Sequence, residues 1–370
     1  MLLPIENVPR DYAWGRAGAI SALLGWSATD AREAELWLGA HPGSSARLSV
    51  DGRSLVDVVP GLPFLLKVLS VGSPLSLQVH PDAEQARDGF DRENAMGVPL
   101  DAPQRNYRDP YPKPELIVAV ADGFEALCGF RPAAESRADL THLVTNPDGR
   151  GAIAPLVELL IDDESVGDAL VWMLEGSGPA RAAVAAIEGA LAAAPERFAY
   201  LRRVAERYAG DPGIAGAVLL HHVVLARGEA LYLPARSIHA YLDGIGVELM
   251  APSDNVLRGG LTVKHIEVPE VVRVLQRAAG PVPQLRPVPL DGGGLLYAPD
   301  DSDVAFCLAA IETRASIPLG GPAIGLCTDG GFMIRGAVSS IEVGRGDAFL
   351  ATPDEGRLEV SGVGSLYLAR

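Results

Sequence analysis

Cysteine is scarce in this chain: three among 370 residues, Cys128, Cys307 and Cys327. An odd, widely spaced set flanked by apolar residues argues against a disulfide framework and reads as buried free thiols in a reducing compartment. Long apolar runs are also missing. No stretch is long enough to span a bilayer, and the start, MLLPIENVPRDYAWG, breaks its short apolar run at Pro4 without a basic lead, so no signal peptide is expected. An excess of positive charge is lacking as well. Lys and Arg number 31 against 47 Asp and Glu, a formal net charge of -16, which argues against a nucleic-acid surface built on clustered cations. A cytoplasmic monomer with neither membrane nor nucleic-acid partners is the expectation. An anionic substrate on such a chain requires positive charge concentrated locally against the overall field.

What is present points to a globular protein. Hydrophobic residues make up 48% and charged residues 21%, enough for substantial cores, and the length suggests roughly two to three domains. Between Leu48 and Gly123 the runs LSVDGRSLVDVV, FLLKVLSV and LIVAVADG are rich in Val and Leu and broken by Gly, Pro and Asp, a strand signature. From Ala133 to Tyr208 the pattern turns helical. Val184, Ile187 and Leu191 recur at helical spacing, as do Phe198, Leu201, Val204 and Tyr208, and Ser177, Gly178 and Pro179 form a helix start. The β pattern returns at Ala217, so the helices read as an insertion. A proline-rich connection, GPVPQLRPVPLDGGG at 280–294, leads to a last β segment. The expected division is a β unit in two parts, 1–132 and 213–279, a helical insert at 133–212, and a second β unit at 280–370. A faint echo links the two β units. Arg227-Gly228-Glu229-Ala230 precedes LYLP and Arg345-Gly346-Asp347-Ala348 precedes FLATP, but the first copy continues to His239 where the second offers Arg357.

The chemistry-bearing residues lie in three motifs. In PLSLQVHPD (74–82), read as a strand, Leu75, Leu77 and Val79 share one face while Ser76, Gln78 and His80 share the other. In YPKPELIVAV, Pro114 biases Lys113 toward an extended conformation, so Lys113 and Glu115 point the same way. In PARSIHAYLDG, His239 has Tyr241 on its own face. Two imidazoles and a carboxylate suit a divalent metal that keeps an exchangeable position, and the Gln78 amide oxygen could complete the set. A lone His or Glu near a strand is more often a hydrogen-bonded core residue or part of a solvated face; the in-phase pairs taken together favour the metal. His41, His142, His221 and His222 receive no role on this pattern, and His265 could assist an anion site beside Lys264. The required positive charge appears in VELMAPSDNVLRGGLTVKH (247–265), where Arg258 and Lys264 bracket a Gly-Gly turn. A planar fork and a compact ammonium suit phosphate.

Together YAWG, ELWLGAHPGSSA, FLLKVLSVGSPLSLQVHPD, NYRDPYPKPEL, LPARSIHAYLDG and ELMAPSDNVLRGGLTVK resemble the type I phosphomannose isomerases, zinc enzymes of the cupin superfamily, over most of residues 2–271. The resemblance implies a mainly β fold with a helical insert: two cupin-type β-barrels (jelly rolls), the first catalytic and the second without metal, plus an α-helical domain. It implies one zinc ion per chain held by Gln78, His80, Glu115 and His239, and an active site containing Lys113, Tyr241, Glu248, Asp254 and Arg258. Ser76, Lys264 and Arg258 would face the substrate phosphate. The implied activity is interconversion of D-mannose 6-phosphate and D-fructose 6-phosphate through an enediol. Glu248 is the first candidate for the base, with Lys113 and Asp254 as rivals. A cupin oxygenase holding Fe(II) through two His and one carboxylate is the enzyme alternative, opposed by Gln78 and by the Arg258 and Lys264 pair. A non-catalytic sugar-phosphate-binding regulator would require lost ligands or lost cations, yet all are present. The N-terminus carries no glycine-rich nucleotide signature, so a fused nucleotidyltransferase is disfavoured.

Overall fold

The computed structural model describes residues 1–370. It is mainly β, with two antiparallel sheets of nine and ten strands and a cluster of helices. In the nine-stranded sheet the long strand His239–Met250 is the spine. Its first half pairs with Gln78–Val79 and Phe124–Phe130, and its second half with Leu65–Val71 and Glu115–Ala119. Every residue of Leu65–Val71 is buried, so FLLKVLSV shows a continuous apolar run instead of alternation.

The helices from Ala133 to Val218 lie between strands Phe124–Phe130 and Leu220–Leu225, which pair with each other. The chain thus leaves the sheet and re-enters it on paired neighbours. Ser177 caps helix Gly178–Leu191, its side chain accepting from the Ala180 N–H at 3.3 Å. This satisfies a donor that the first turn leaves unpaired. Val184, Ile187 and Leu191 join Phe198, Leu201 and Val204 in an apolar core that continues into the sheet through Leu77, Val79, Leu127 and Ala240. Insert and sheet therefore share one packed interior.

In the ten-stranded sheet the spine is Arg357–Ala369, paired with Leu308–Ile311, Arg314–Pro318 and Ala323–Arg335. The sequence echo has a structural counterpart. Each RGEA or RGDA turn enters a four-residue strand, Ala230–Leu233 or Ala348–Ala351, and the next strand is the spine of its sheet. His239 is buried at the head of the first spine, whereas Arg357 is exposed at the head of the second. The first strand, Leu2–Glu6, pairs with Ala348–Ala351, so its hydrogen bonds run into the second sheet although it precedes the first in sequence. A common apolar core, with Leu36, Leu66 and Leu249 from one sheet and Leu308, Ile324 and Tyr367 from the other, lies between them.

Two local expectations differ from the structure. LSVDGRSLVDVV, expected to be strand-like, contains the helical turn Leu55–Val58, because Ser54 accepts from the Val56 N–H at 3.3 Å and starts a helix instead. PLSLQVHPD is extended, but only Gln78–Val79 joins a ladder. Upstream, the Leu75 N–H donates to the Tyr241 carbonyl and the Leu77 N–H to the Gly260 carbonyl, stitching the segment irregularly to the spine strand and to the Gly259-Gly260 turn. All three cysteines are free; Cys128 and Cys327 are buried and Cys307 is half-buried. No helix is long and apolar enough to cross a membrane.

Candidate metal centre and active site

The ladder aligns the metal-ligating candidates. Gln78 lies opposite His239 on one side and opposite Arg258 on the other, while Glu115 opens its strand opposite Met250 of the spine. His80, Glu115 and His239 are buried with donor atoms all within 4.8 Å of one another. His80 Nε2 is 3.5 Å from Glu115 Oε1, and His239 Nε2 is 3.3 Å from Glu115 Oε2. The outer nitrogens settle the tautomers. His80 Nδ1 is 2.8 Å from the Asn255 carbonyl and His239 Nδ1 is 3.1 Å from the Ser237 carbonyl. A carbonyl only accepts, so each neutral ring carries its proton on Nδ1 and turns the Nε2 lone pair toward Glu115. Burial pushes the His80 imidazole down to about 4, and its Nε2 has no hydrogen-bond partner. Two inward lone pairs around a buried carboxylate, with outer N–H groups held by carbonyls, fit a divalent cation. Burial alone would raise the Glu115 carboxyl, but the Lys113 ammonium, with Nζ 3.0 Å from Oε1, opposes it and the group lies well below its usual range.

A cavity of about 380 Å³ adjoins this centre and meets it at Gln78 and Lys113. Six cationic side chains line it, Lys67, Arg105, Arg108, Lys113, Arg258 and Lys264, against two carboxylates, Glu35 and Asp254. An acidic protein thus builds a positive pocket. Arg105 is neutralised by Glu93 at 3.0 Å, but Arg108, Arg258 and Lys264 form no ion pair within the chain. Burial, then the charge of Arg108, lowers the pKa of Arg258; burial, then Arg258 and Arg108, lowers that of Lys264. Crowded cations without counter-charge favour an anionic ligand. The turn behind them is held from the helical insert. The Asp211 carboxylate accepts from the N–H groups of Leu261 at 2.7 Å, Thr262 at 3.1 Å and Gly213 at 2.7 Å. Gly260 has φ 125°, and a Cβ there would lie 2.7 Å from the Gly213 Cα, so only glycine fits.

Proton-transfer candidates lie beside the metal residues. Glu248 is directly across the ladder from Lys67, with Lys67 Nζ 3.4 Å from Oε2 and 4.8 Å above the Trp37 ring. Burial, with Glu115 and Glu35 adding repulsion, raises the Glu248 carboxyl to about 7 against the pull of Lys67 and Lys113. His239 and Glu248 are an odd number of residues apart and would face opposite sides of a regular strand. The register shift between Tyr241 and Asp243, with Gly244 at φ 116°, re-phases the spine. The Tyr241 hydroxyl is buried without a partner, its pKa pushed well up by burial and by Glu248 and Glu115. Asp254 is half-exposed, with Oδ2 3.4 Å from His41 Nε2. The Gly43 N–H donates to His41 Nδ1, which leaves the proton of the neutral ring on Nε2, toward Asp254. That hydrogen bond lowers the Asp254 pKa.

His80, Glu115 and His239 are thus brought to one centre with Lys113 on Glu115; Gln78, Lys113, Asp254, Arg258 and Lys264 line the adjoining cavity, and Tyr241 and Glu248 are buried within reach of the Glu115 charge. Ser76 is half-buried and lies outside the cavity lining. Lys67, Arg108 and His41 line the cavity without having been singled out from sequence. A lysine inside the apolar run FLLKVLSV was the available signal for the first.

Residues 2–133 match the family model for phosphomannose isomerase type I, catalytic domain. Over 393 aligned positions the chain is 34% identical to the mannose-6-phosphate isomerase of Escherichia coli strain K12, covering 97% of each chain. The chain belongs to the type I phosphomannose isomerase family. A solved zinc-bound mannose 6-phosphate isomerase superposes with a TM-score of 0.88 at 33% identity, covering 100% of this chain and 98% of that one. The apo form of the Salmonella typhimurium mannose 6-phosphate isomerase gives the same score, identity and coverage.

Proposed function

We propose that this protein is a zinc-dependent isomerase that interconverts D-mannose 6-phosphate and D-fructose 6-phosphate. The observation that carries this is the buried His80, Glu115 and His239 group, both imidazole lone pairs turned inward, beside a cavity with three unpaired cations. Gln78, His80, Glu115 and His239 would hold one zinc ion. When bound, zinc supplies Lewis acidity toward the sugar oxygens.

The chain's own residues account for the remaining steps. Arg258, Arg108 and Lys264 hold the phosphate and fix the sugar's direction in the cavity. Glu248, with a pKa near neutrality, is the base. It takes the C2 proton of the aldose, the C–H electrons become the C1–C2 double bond of the enediol, and the carboxylic acid returns a proton to C1. As the double bond forms, the C1 carbonyl pair moves onto O1, which gains a proton; as the ketone forms at C2, the C1–C2 pair takes the proton returned to C1 and the C2 hydroxyl gives up its own, so the proton lost at O2 balances the one gained at O1. Lys113 and Lys67 oppose the negative charge that develops on the sugar oxygens. Asp254 is the weaker candidate base because His41 holds it as a low-pKa carboxylate, and Lys113 is already committed to Glu115.

The two sheets are proposed to be cupin-type jelly rolls. Residues 1–132 and 213–279 would form the catalytic unit, apart from strands Leu2–Glu6 and Arg47–Leu48, whose ladder belongs to the other sheet; 133–212 would form the helical domain and 280–370 the degenerate copy. The matched order of turn, short strand and spine supports this division. A coupled assay on zinc-loaded protein tests the activity. Mannose 6-phosphate should be converted to fructose 6-phosphate, and no conversion at full zinc occupancy would overturn the assignment.

A further inference from the structure

Asn255 is fully buried and belongs to two sites at once. Its backbone carbonyl accepts from His80 Nδ1 at 2.8 Å, fixing the imidazole that faces the metal position. Its side-chain oxygen accepts from the N–H of Arg108 at 2.7 Å and of Asp109 at 3.3 Å. Its amide nitrogen donates to the Asp109 carbonyl at 2.8 Å and to the Tyr111 carbonyl at 2.9 Å. A primary amide has one acceptor atom and two N–H donors, and here all are engaged. Aspartate would keep the acceptor but lose both donors, and alanine would lose every side-chain bond.

Asp109 closes the same staple from the other side. It accepts from the Ser253 hydroxyl and from the Asp254 N–H, both at 2.8 Å. The loop that carries Arg108, and runs on to Lys113 and Glu115, is therefore locked to the segment that carries Asp254 and Arg258. Through one residue, a displacement of the cation loop reaches the carbonyl that aims His80.

We propose that Asn255 is a positioning residue that couples the metal centre to the phosphate end of the cavity, so that filling either site tightens the other. The identity of the anion rests on the isomerase reading. The coupling itself rests on the hydrogen bonds, and by linkage it must be reciprocal.

The test measures zinc affinity by competition with a chromogenic chelator, with and without glucitol 6-phosphate, a sugar phosphate with no carbonyl to isomerise. In the unsubstituted protein the sugar phosphate should tighten zinc about fivefold or more, the lower end of ordinary coupling. In Asn255→Ala the factor should fall to near one while zinc still binds. An equal factor in both proteins, or none in the unsubstituted protein, overturns the proposal. Hydrogen exchange on the unsubstituted protein covers the case in which the variant does not fold. Zinc added to metal-free protein should slow the Arg108 and Asp109 amides, neither of which belongs to a metal ligand, while strand Arg357–Ala369 is unchanged; no slowing overturns the proposal. A chain that couples zinc and sugar phosphate yet fails to turn over mannose 6-phosphate would sink the isomerase reading and leave the role of Asn255 standing.

Discussion

Lys67 and Glu248 form a buried ion pair across adjacent strands, Nζ to Oε2 3.4 Å, at positions directly opposite in the ladder. The pair sets the pH response of a base at Glu248. Burial raises the carboxyl to about 7 even with Lys67 opposing it, and a protonated carboxyl cannot accept the C2 proton. In the metal-loaded enzyme kcat/KM should therefore rise with pH along an acid limb and level off once Glu248 is ionised. Lys67→Met removes the cation that favours the carboxylate, so the limb should move to higher pH. A pH profile of both proteins decides it; an acid limb that stays in place in Lys67→Met would separate Glu248 from the rate.

The metal centre makes a sharper demand. Glu115→Ala and His239→Ala each remove one of three converging donors, and both should lose bound zinc together with isomerisation. Elemental analysis alongside the coupled assay reads both quantities. Chelation of the unsubstituted protein should abolish activity and added zinc should restore it. Full turnover by a variant that holds no metal would sink the mechanism.

The cavity cations should behave differently from the ligands. Arg258→Ala should lose turnover with zinc still bound. On the proposed phosphate site, Arg108→Ala removes one charge-assisted contact, worth about 1.5–3 kcal/mol, so KM should rise by roughly 10- to 150-fold with zinc content unchanged. Competitive inhibition by inorganic phosphate should weaken in parallel. A KM that does not move in Arg108→Ala would confine that side chain to solvent.

How much of this was legible in the sequence depends on what carries each position. Gln78, His80 and Glu115 were readable because alternation puts polar groups in phase against apolar neighbours, and helical spacing marked Val184, Ile187 and Leu191. The turn at Leu55–Val58 was not readable, since a Ser54 cap decides between helix and strand in a run that suits either. Glu248 could be named from its motif, but alternation alone would place it on the wrong face; the shift after Tyr241 that corrects this is a three-dimensional event. Lys67 and Arg108 acquire meaning only from the strands and loops they meet. His41 depends on a hydrogen bond from the Gly43 N–H, which sequence does not display.

One carboxylate ties the helical segment to the turn that carries the cavity cations. Asp211 accepts from three backbone N–H groups, those of Gly213, Leu261 and Thr262, and so binds the end of the insert to the turn between Arg258 and Lys264. Leu261 sits there at φ 54°, a conformation a non-glycine residue keeps only when its surroundings hold it. Asp211→Ala strands those donors, at a cost of about 1–3 kcal/mol for each that finds no water. The turn should relax, KM for mannose 6-phosphate should rise several-fold, and zinc content should stay constant because no metal ligand touches Asp211. Steady-state kinetics with metal analysis and a thermal melt separates the outcomes. A lowered melting temperature with an unchanged KM would make the insert a buttress of the sheet alone, whereas a raised KM at full zinc occupancy would make it part of the phosphate site.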